Sequence, residues 1–238
     1  MVPEALLILL LALGAGAAMP AGAVFARFDE LHPDWLSTEW RHFIVAFGGG
    51  ALISAIALVL VPDGTARLAP PAAALSFAAG GVTFFALDIW LNRMKSAAGQ
   101  LVAMLSDFVP EAIALGAAFA AGESTGLLLA FLIALQNLPE GFNAFEELAH
   151  AGRLAQSTVL TAFCAMALLG PASALAGYYW LGHYPQVMGV LLLFASGGIL
   201  YLVFEDIAPQ ARLENAWMPA LGAVAGFLIG LVGSMLAG

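Results

Sequence analysis

Charge and cysteine are what this sequence has least of. Only 10% of its 238 residues are Asp, Glu, Lys or Arg, whereas a soluble domain carries about 25%. A chain so poor in charge lacks the polar surface needed to be wrapped in water. The one cysteine, Cys164, excludes a disulfide within the chain and a Cys-rich metal site; inside an apolar run it reads as a small packing residue. Basic residues are few as well, seven against sixteen acids. The net charge of −9 says little about partners in solution, because many of the acids fall inside apolar runs. No nucleic-acid partner is expected. The first apolar run opens with Glu4 and has no positively charged lead-in, so a cleavable signal peptide is not expected either.

What is present in excess is apolar sequence, 62% hydrophobic with a mean hydropathy of +0.96. A bilayer-spanning helix needs roughly 20 apolar residues. Eight such runs lie near 4–26, 42–62, 72–91, 98–121, 125–146, 157–180, 186–205 and 217–237. The breaks carry turn or charge signals, among them Pro33, Pro62-Asp63-Gly64, Pro70-Pro71, Gly122-Glu123-Ser124, Gly152-Arg153 and His183-Tyr184-Pro185. The expected architecture is therefore one all-α transmembrane domain over 1–238, its partner the lipid bilayer. Runs one and eight are rich in Gly and Ala, which suits close helix packing in lipid.

The basic residues orient the bundle. Alternate loops hold Arg27, Arg41, Arg93, Lys95, Arg153 and Arg212, and the opposite set holds only Arg67. By the positive-inside rule both termini are expected outside the cytoplasm. Trp35, Trp40, Trp90, Trp180 and Trp217 all fall near run ends, as interfacial anchors do.

Acids at run ends, including Asp29, Glu30, Asp34, Glu39, Asp63, Glu123, Glu146, Glu147 and Glu214, read as solvated residues without a specific role. Asp107, Glu111 and Glu140 differ, because they lie near the centres of runs four and five. An ionised carboxylate there costs about 2.5–3.5 kcal/mol or more and implies a partner, yet no Lys or Arg lies at similar depth. Asp107 and Glu111 are four apart on one helix face, as are Gln136 and Glu140. The step x-x-Pro-Glu occurs at Phe108-Val109-Pro110-Glu111 and again at Asn137-Leu138-Pro139-Glu140, on adjacent antiparallel helices. Each proline deprives the carbonyl four residues earlier of its helical donor, here Ser106 and Leu135. Three carboxylates, an amide oxygen and loosened carbonyls without a protein cation call for a bound metal ion.

At these residues the sequence resembles the ZIP family of divalent-metal transporters. Gln136-Asn137-Leu138-Pro139-Glu140-Gly141 is similar to the family's fifth-helix motif, and Asp107-Phe108-Val109-Pro110-Glu111-Ala112 to its fourth-helix motif through Pro-Glu and a ligand candidate three residues before the proline. Phe204-Glu205-Asp206-Ile207-Ala208-Pro209 looks like its seventh helix. The resemblance implies an eight-helix ZIP-like bundle with a metal site of Asp107, Glu111, Gln136 and Glu140 between helices four and five. It also implies transport of a divalent cation (zinc, or manganese or iron(II), with cadmium a further candidate) by alternating access, in a prokaryotic inner (plasma) membrane. The metal is cargo; no resident cofactor and no enzyme activity are expected, and a homodimer is an open assembly state. Where the family has His then Asn, this chain has Asp107 then Phe108, and Gly170-Pro171 stands where the family often has Glu-Pro. A single ion and a weakened zinc preference are the expectations that follow.

Asn137, Asp88, Glu205, Asp206, Glu147 and His150 are candidate pathway residues toward the cytoplasm; solvation or capping at helix ends explains the same positions, and both readings stay open. Two other functions compete. A proton-coupled carrier of a small solute would use the carboxylates as relays. An intramembrane metalloenzyme is suggested by Glu146-Glu147-x-x-His150, but such sites normally need two or more His ligands, and the four His all lie near run ends.

Overall fold

The computed structural model describes residues 3–31, 37–94, 97–120, 125–150, 154–214 and 216–237, and every regular element among them is helical. The helices are α1 (Glu4–Leu31), α2 (Thr38–Ala55), α3 (Val61–Thr65), α4 (Pro70–Met94), α5 (Ala97–Ala120), α6 (Thr125–His150), α7 (Gln156–Ala167), α8 (Leu169–Tyr179), α9 (Pro185–Leu202), α10 (Ala208–Ala211) and α11 (Met218–Ala237). Seven spans among the described residues are long and apolar enough to cross a membrane: Glu4–Asp29, Thr38–Thr65, Pro70–Leu91, Gly126–Ala149, Gln156–His183, Pro185–Ala211 and Met218–Leu236. This is the build of an all-α membrane protein. The eighth expected run forms α5, as long as its neighbours but not one of those seven.

Prolines explain where helices bend and where they do not stop. Pro62-Asp63-Gly64, expected as a break, lies inside a continuous helix from Thr38 to Thr65. A wide turn at Ile56–Leu60, with the Val61 N–H reaching back five residues to the Ile56 carbonyl, precedes the proline. Widening the turn there accommodates a ring that would otherwise press on the carbonyl four residues back. The same device recurs at Val203–Ile207, where the Ala208 N–H bonds the Val203 carbonyl just before Pro209. At Pro171 the chain instead breaks between α7 and α8 at Leu168. Pro70 and Pro185 open helices, where a fixed φ and a missing N–H cost nothing.

Four helix pairs pack backbone against backbone through reciprocal glycines. A Cβ added at Gly22 of α1 would lie 2.1 Å from the Leu138 carbonyl of α6, and one at Gly141 would lie 2.2 Å from the Met19 carbonyl. The pairs α2–α11 (Gly50, Gly226), α4–α9 (Gly80, Gly197) and α5–α8 (Gly116, Gly177) repeat the arrangement. In lipid, where apolar side chains gain little by leaving their surroundings, such close approach is a main source of helix association. The pairs combine into two groups, α1–α6 with α5–α8 and α7, and α2–α11 with α4–α9, meeting where α2 faces α6 and α5 faces α9.

Three residues differ from their sequence reading. Asp29 is not solvated: it is fully buried, with Arg41 Nη2 at 2.6 Å from its Oδ2. Arg41 also donates from Nη1 to Glu146 Oε1 at 3.2 Å, so Glu146 too is engaged rather than free in water. The Arg41 side chain is the only cation near enough to offset the burial of Asp29 among the described ion pairs. Cys164 is exposed, not packed in the core of the bundle. Trp40, Trp90, Trp180 and Trp217 are all exposed near helix ends, as expected of anchors; Trp35, Lys95, Arg153, Glu123 and Asp34 lie outside the described residues.

Candidate functional site

Two cavities enter the bundle from opposite ends. One is lined by Leu52, Asp107, Gln136, Pro139, Glu140, Asn143, Ile199, Asp206 and Ile207 with their neighbours. The other is lined by Val59, Asp63, Arg67, Ala114, Leu129, Pro185 and Leu192 among others. On each of the four helices walling both, the lining residues are seven positions apart: Leu52 and Val59, Asp107 and Ala114, Gln136 and Leu129, Ile199 and Leu192. Seven residues of helix measure about 10 Å. That barrier is filled by the buried side chains of Ala55, Ile56, Glu111, Leu132, Ile133, Ala195 and Ser196. Glu111 is its one ionisable member.

The structure brings Asp107, Gln136 and Glu140 to one cavity wall and sets Glu111 just behind it. Gln136 Nε2 donates to Glu111 Oε2 at 2.5 Å, which orients the amide and leaves its oxygen free. Asp107 Oδ1 accepts the Phe108 N–H at 2.7 Å. The buried oxygens Glu111 Oε1, Gln136 Oε1 and Glu140 Oε2 have no hydrogen-bond partner. With the glutamates ionised all three are acceptors, and what they then lack is a donor or a cation. A buried polar atom left in this way normally costs about 1–3 kcal/mol. Among the described residues, however, no three His, Cys, Asp or Glu side chains converge closely enough to grip one ion together. Any ion held here must use the Gln136 oxygen or water beside the carboxylates.

From Glu140 a trail of acids leads to the end of the bundle. Asp107, Glu111 and Asp206 are all near enough to Glu140 to repel its charge. Asp206 is in turn within electrostatic reach of Glu147, Glu205 and Asp88. Asp88 accepts the Tyr201 hydroxyl at 3.1 Å. Glu205 and Glu147 are exposed. Asn137 is turned the other way: it is buried and donates from Nδ2 to the Ala15 carbonyl of α1 at 2.9 Å, and it lines neither cavity. His150 ends α6, and its side chain lies outside the described residues.

Gly170 proves to be occupied space. A Cβ there would meet the Phe108 ring at 2.7 Å and the Ala12 carbonyl at 2.9 Å, and Phe108 itself is fully buried. The ring fills the place that a side chain at position 170 would take.

Sequence reasoning missed Asn143 and Gln210. Asn143 Nδ2 donates to Gln210 Oε1, and Gln210 Nε2 donates to Asp206 Oδ1. The available signal was spacing, since Asn143 follows Glu140 by three and Gln210 follows Asp206 by four, each on the face of its acid. No protein-family model matches the chain, and no curated protein matches it significantly.

Proposed function

We propose that the chain is a ZIP-like transporter that carries divalent metal ions across a membrane through the cavity of Asp107, Gln136 and Glu140. The observation that carries this reading is the set of buried, acceptor-only oxygens at the inner end of a cavity that continues as a trail of carboxylates. Carboxylate and amide oxygens suit hard divalent cations such as manganese, and imidazole, which suits zinc, is absent from the cavity lining. Glu111 acts on the ion through Gln136, whose amide it orients. One ion per protomer follows from the Phe108 ring over Gly170. The reading takes α5 as the eighth span and both termini as lying outside the cytoplasm, in a prokaryotic inner membrane; the cavity of the site then opens toward the cytoplasm.

The test is flux of manganese, zinc and iron(II) into proteoliposomes holding the purified chain. Metal accumulation that Glu140→Ala reduces to the level of empty vesicles is the expected result. Uptake should also fall as the pH is lowered, since protons compete for the same oxygens. Absence of metal flux together with proton-linked movement of an organic solute in the presence of chelator would replace this reading with that of a solute carrier.

A further inference from the structure

The cavity of Asp107 and Glu140 is walled in part by α6 and by the segment that runs from α9 into α10, and polar side chains join these two walls. Gln210 uses both ends of its amide, accepting from Asn143 of α6 through Oε1 and donating to Asp206 through Nε2. Asn143 and Asp206 line the cavity, whereas Gln210 does not. On the apolar side, Ile207 closes on α2, where a Cβ at Gly49 would meet Ile207 Cγ2 at 2.9 Å. The wide turn at Val203–Ile207 sets these positions, with Asp206 and Ile207 both on the cavity wall. The two walls also belong to different packing groups, since α6 is locked to α1 through Gly22 and Gly141, and α9 to α4 through Gly80 and Gly197.

We propose that the Asn143–Gln210–Asp206 chain of hydrogen bonds is a gate, which ties the two walls of the cavity together and must part for an ion or solute to pass between the site and that face of the protein. Gln210 is its positioning residue. An amide is the side chain that can accept from one wall and donate to a carboxylate on the other at once. Opening costs the Asn143–Gln210 hydrogen bond, the one that crosses between the walls, and Gln210 can then turn from Asp206 and free it to meet a passing cation. The inference concerns access to the cavity and holds whatever the cargo.

The experiment therefore needs no metal. In a Cys164→Ser background, Leu52→Cys places a thiol on the cavity wall at the level of the site, beyond the gate. A membrane-impermeant methanethiosulfonate reagent is applied from the face bearing Arg212, and the rate of modification is measured. Gln210→Met keeps side-chain length and removes both hydrogen bonds; it should speed modification roughly tenfold. Asn143→Ala, breaking the chain from the other wall, should do the same, and the double variant should be no faster than the faster single one, because the two residues act as one unit. Parental rates in both single variants, or additive accelerations in the double one, would overturn the gate. Accelerated modification in a chain that moves no metal would keep the gate and discard the metal reading; metal flux with unchanged modification would do the reverse.

Discussion

Helices α5 and α6 carry the same x-x-Pro-Glu step, yet the structure uses the two glutamates differently. Glu140 faces the cavity with one oxygen free and the carboxyl groups of Asp107, Glu111 and Asp206 within electrostatic reach. Glu111 is sealed in the barrier between the two cavities, with Gln136 across its carboxylate. The residue after each leading ligand candidate is turned away from the cavity: Phe108 fills the space over Gly170, and Asn137 bonds to α1. A repeat in sequence thus becomes one helix that presents oxygens to the cavity and one that supplies Asp107 while backing up its neighbour.

The sharpest way to break this comparison is to remove each glutamate in turn. Glu140→Ala should leave metal flux at background, since it deletes a free oxygen from the wall itself. Glu111→Ala should be milder, roughly a tenfold loss of apparent affinity with maximal rate largely kept, as is usual for a group that orients a ligand. Equal and complete loss in both, with both proteins present in the membrane, would put Glu111 on the ion directly. Asp107→His comes next: an imidazole at the leading position of α5 should favour zinc over manganese by several-fold in competition flux. Selectivity unchanged by the His would move the choice of metal away from this wall. The smallest effect belongs to Asn137→Ala, which loses one buried hydrogen bond to the Ala15 carbonyl. It should cost about 1 kcal/mol in thermal stability and leave flux intact; a large loss of flux at parental stability would place Asn137 in the pathway after all.

The sequence is legible wherever one residue type has one physical meaning in lipid. Seven of the eight apolar runs fall on spans long and apolar enough to cross a membrane, and two of the three carboxylates near run centres, Asp107 and Glu140, share a cavity wall. Pro62-Asp63-Gly64 misleads because proline reads as a stop, while a wide turn just upstream lets the helix run on. Asp29 misleads for a different reason. A carboxylate at the end of an apolar run is normally solvated, and only tertiary placement beside Arg41 makes its burial tolerable. The tie between Asn143 and Gln210 spans 67 residues of sequence. Spacing marks each as sharing a face with an acid, but nothing local says that the two faces meet.

The Asp29–Arg41–Glu146 cluster has a consequence for biosynthesis. Asp29 and Arg41 belong to the first two helices, α1 and α2, while Glu146 is made 105 residues after Arg41. A buried carboxylate deprived of its cation is among the more costly states in a protein interior. Because its partner emerges only twelve residues later, Asp29 can be neutralised before the rest of the bundle exists. Glu146 then arrives at an arginine already held in place, so the ion pair between the first two helices also marks where α6 is to dock.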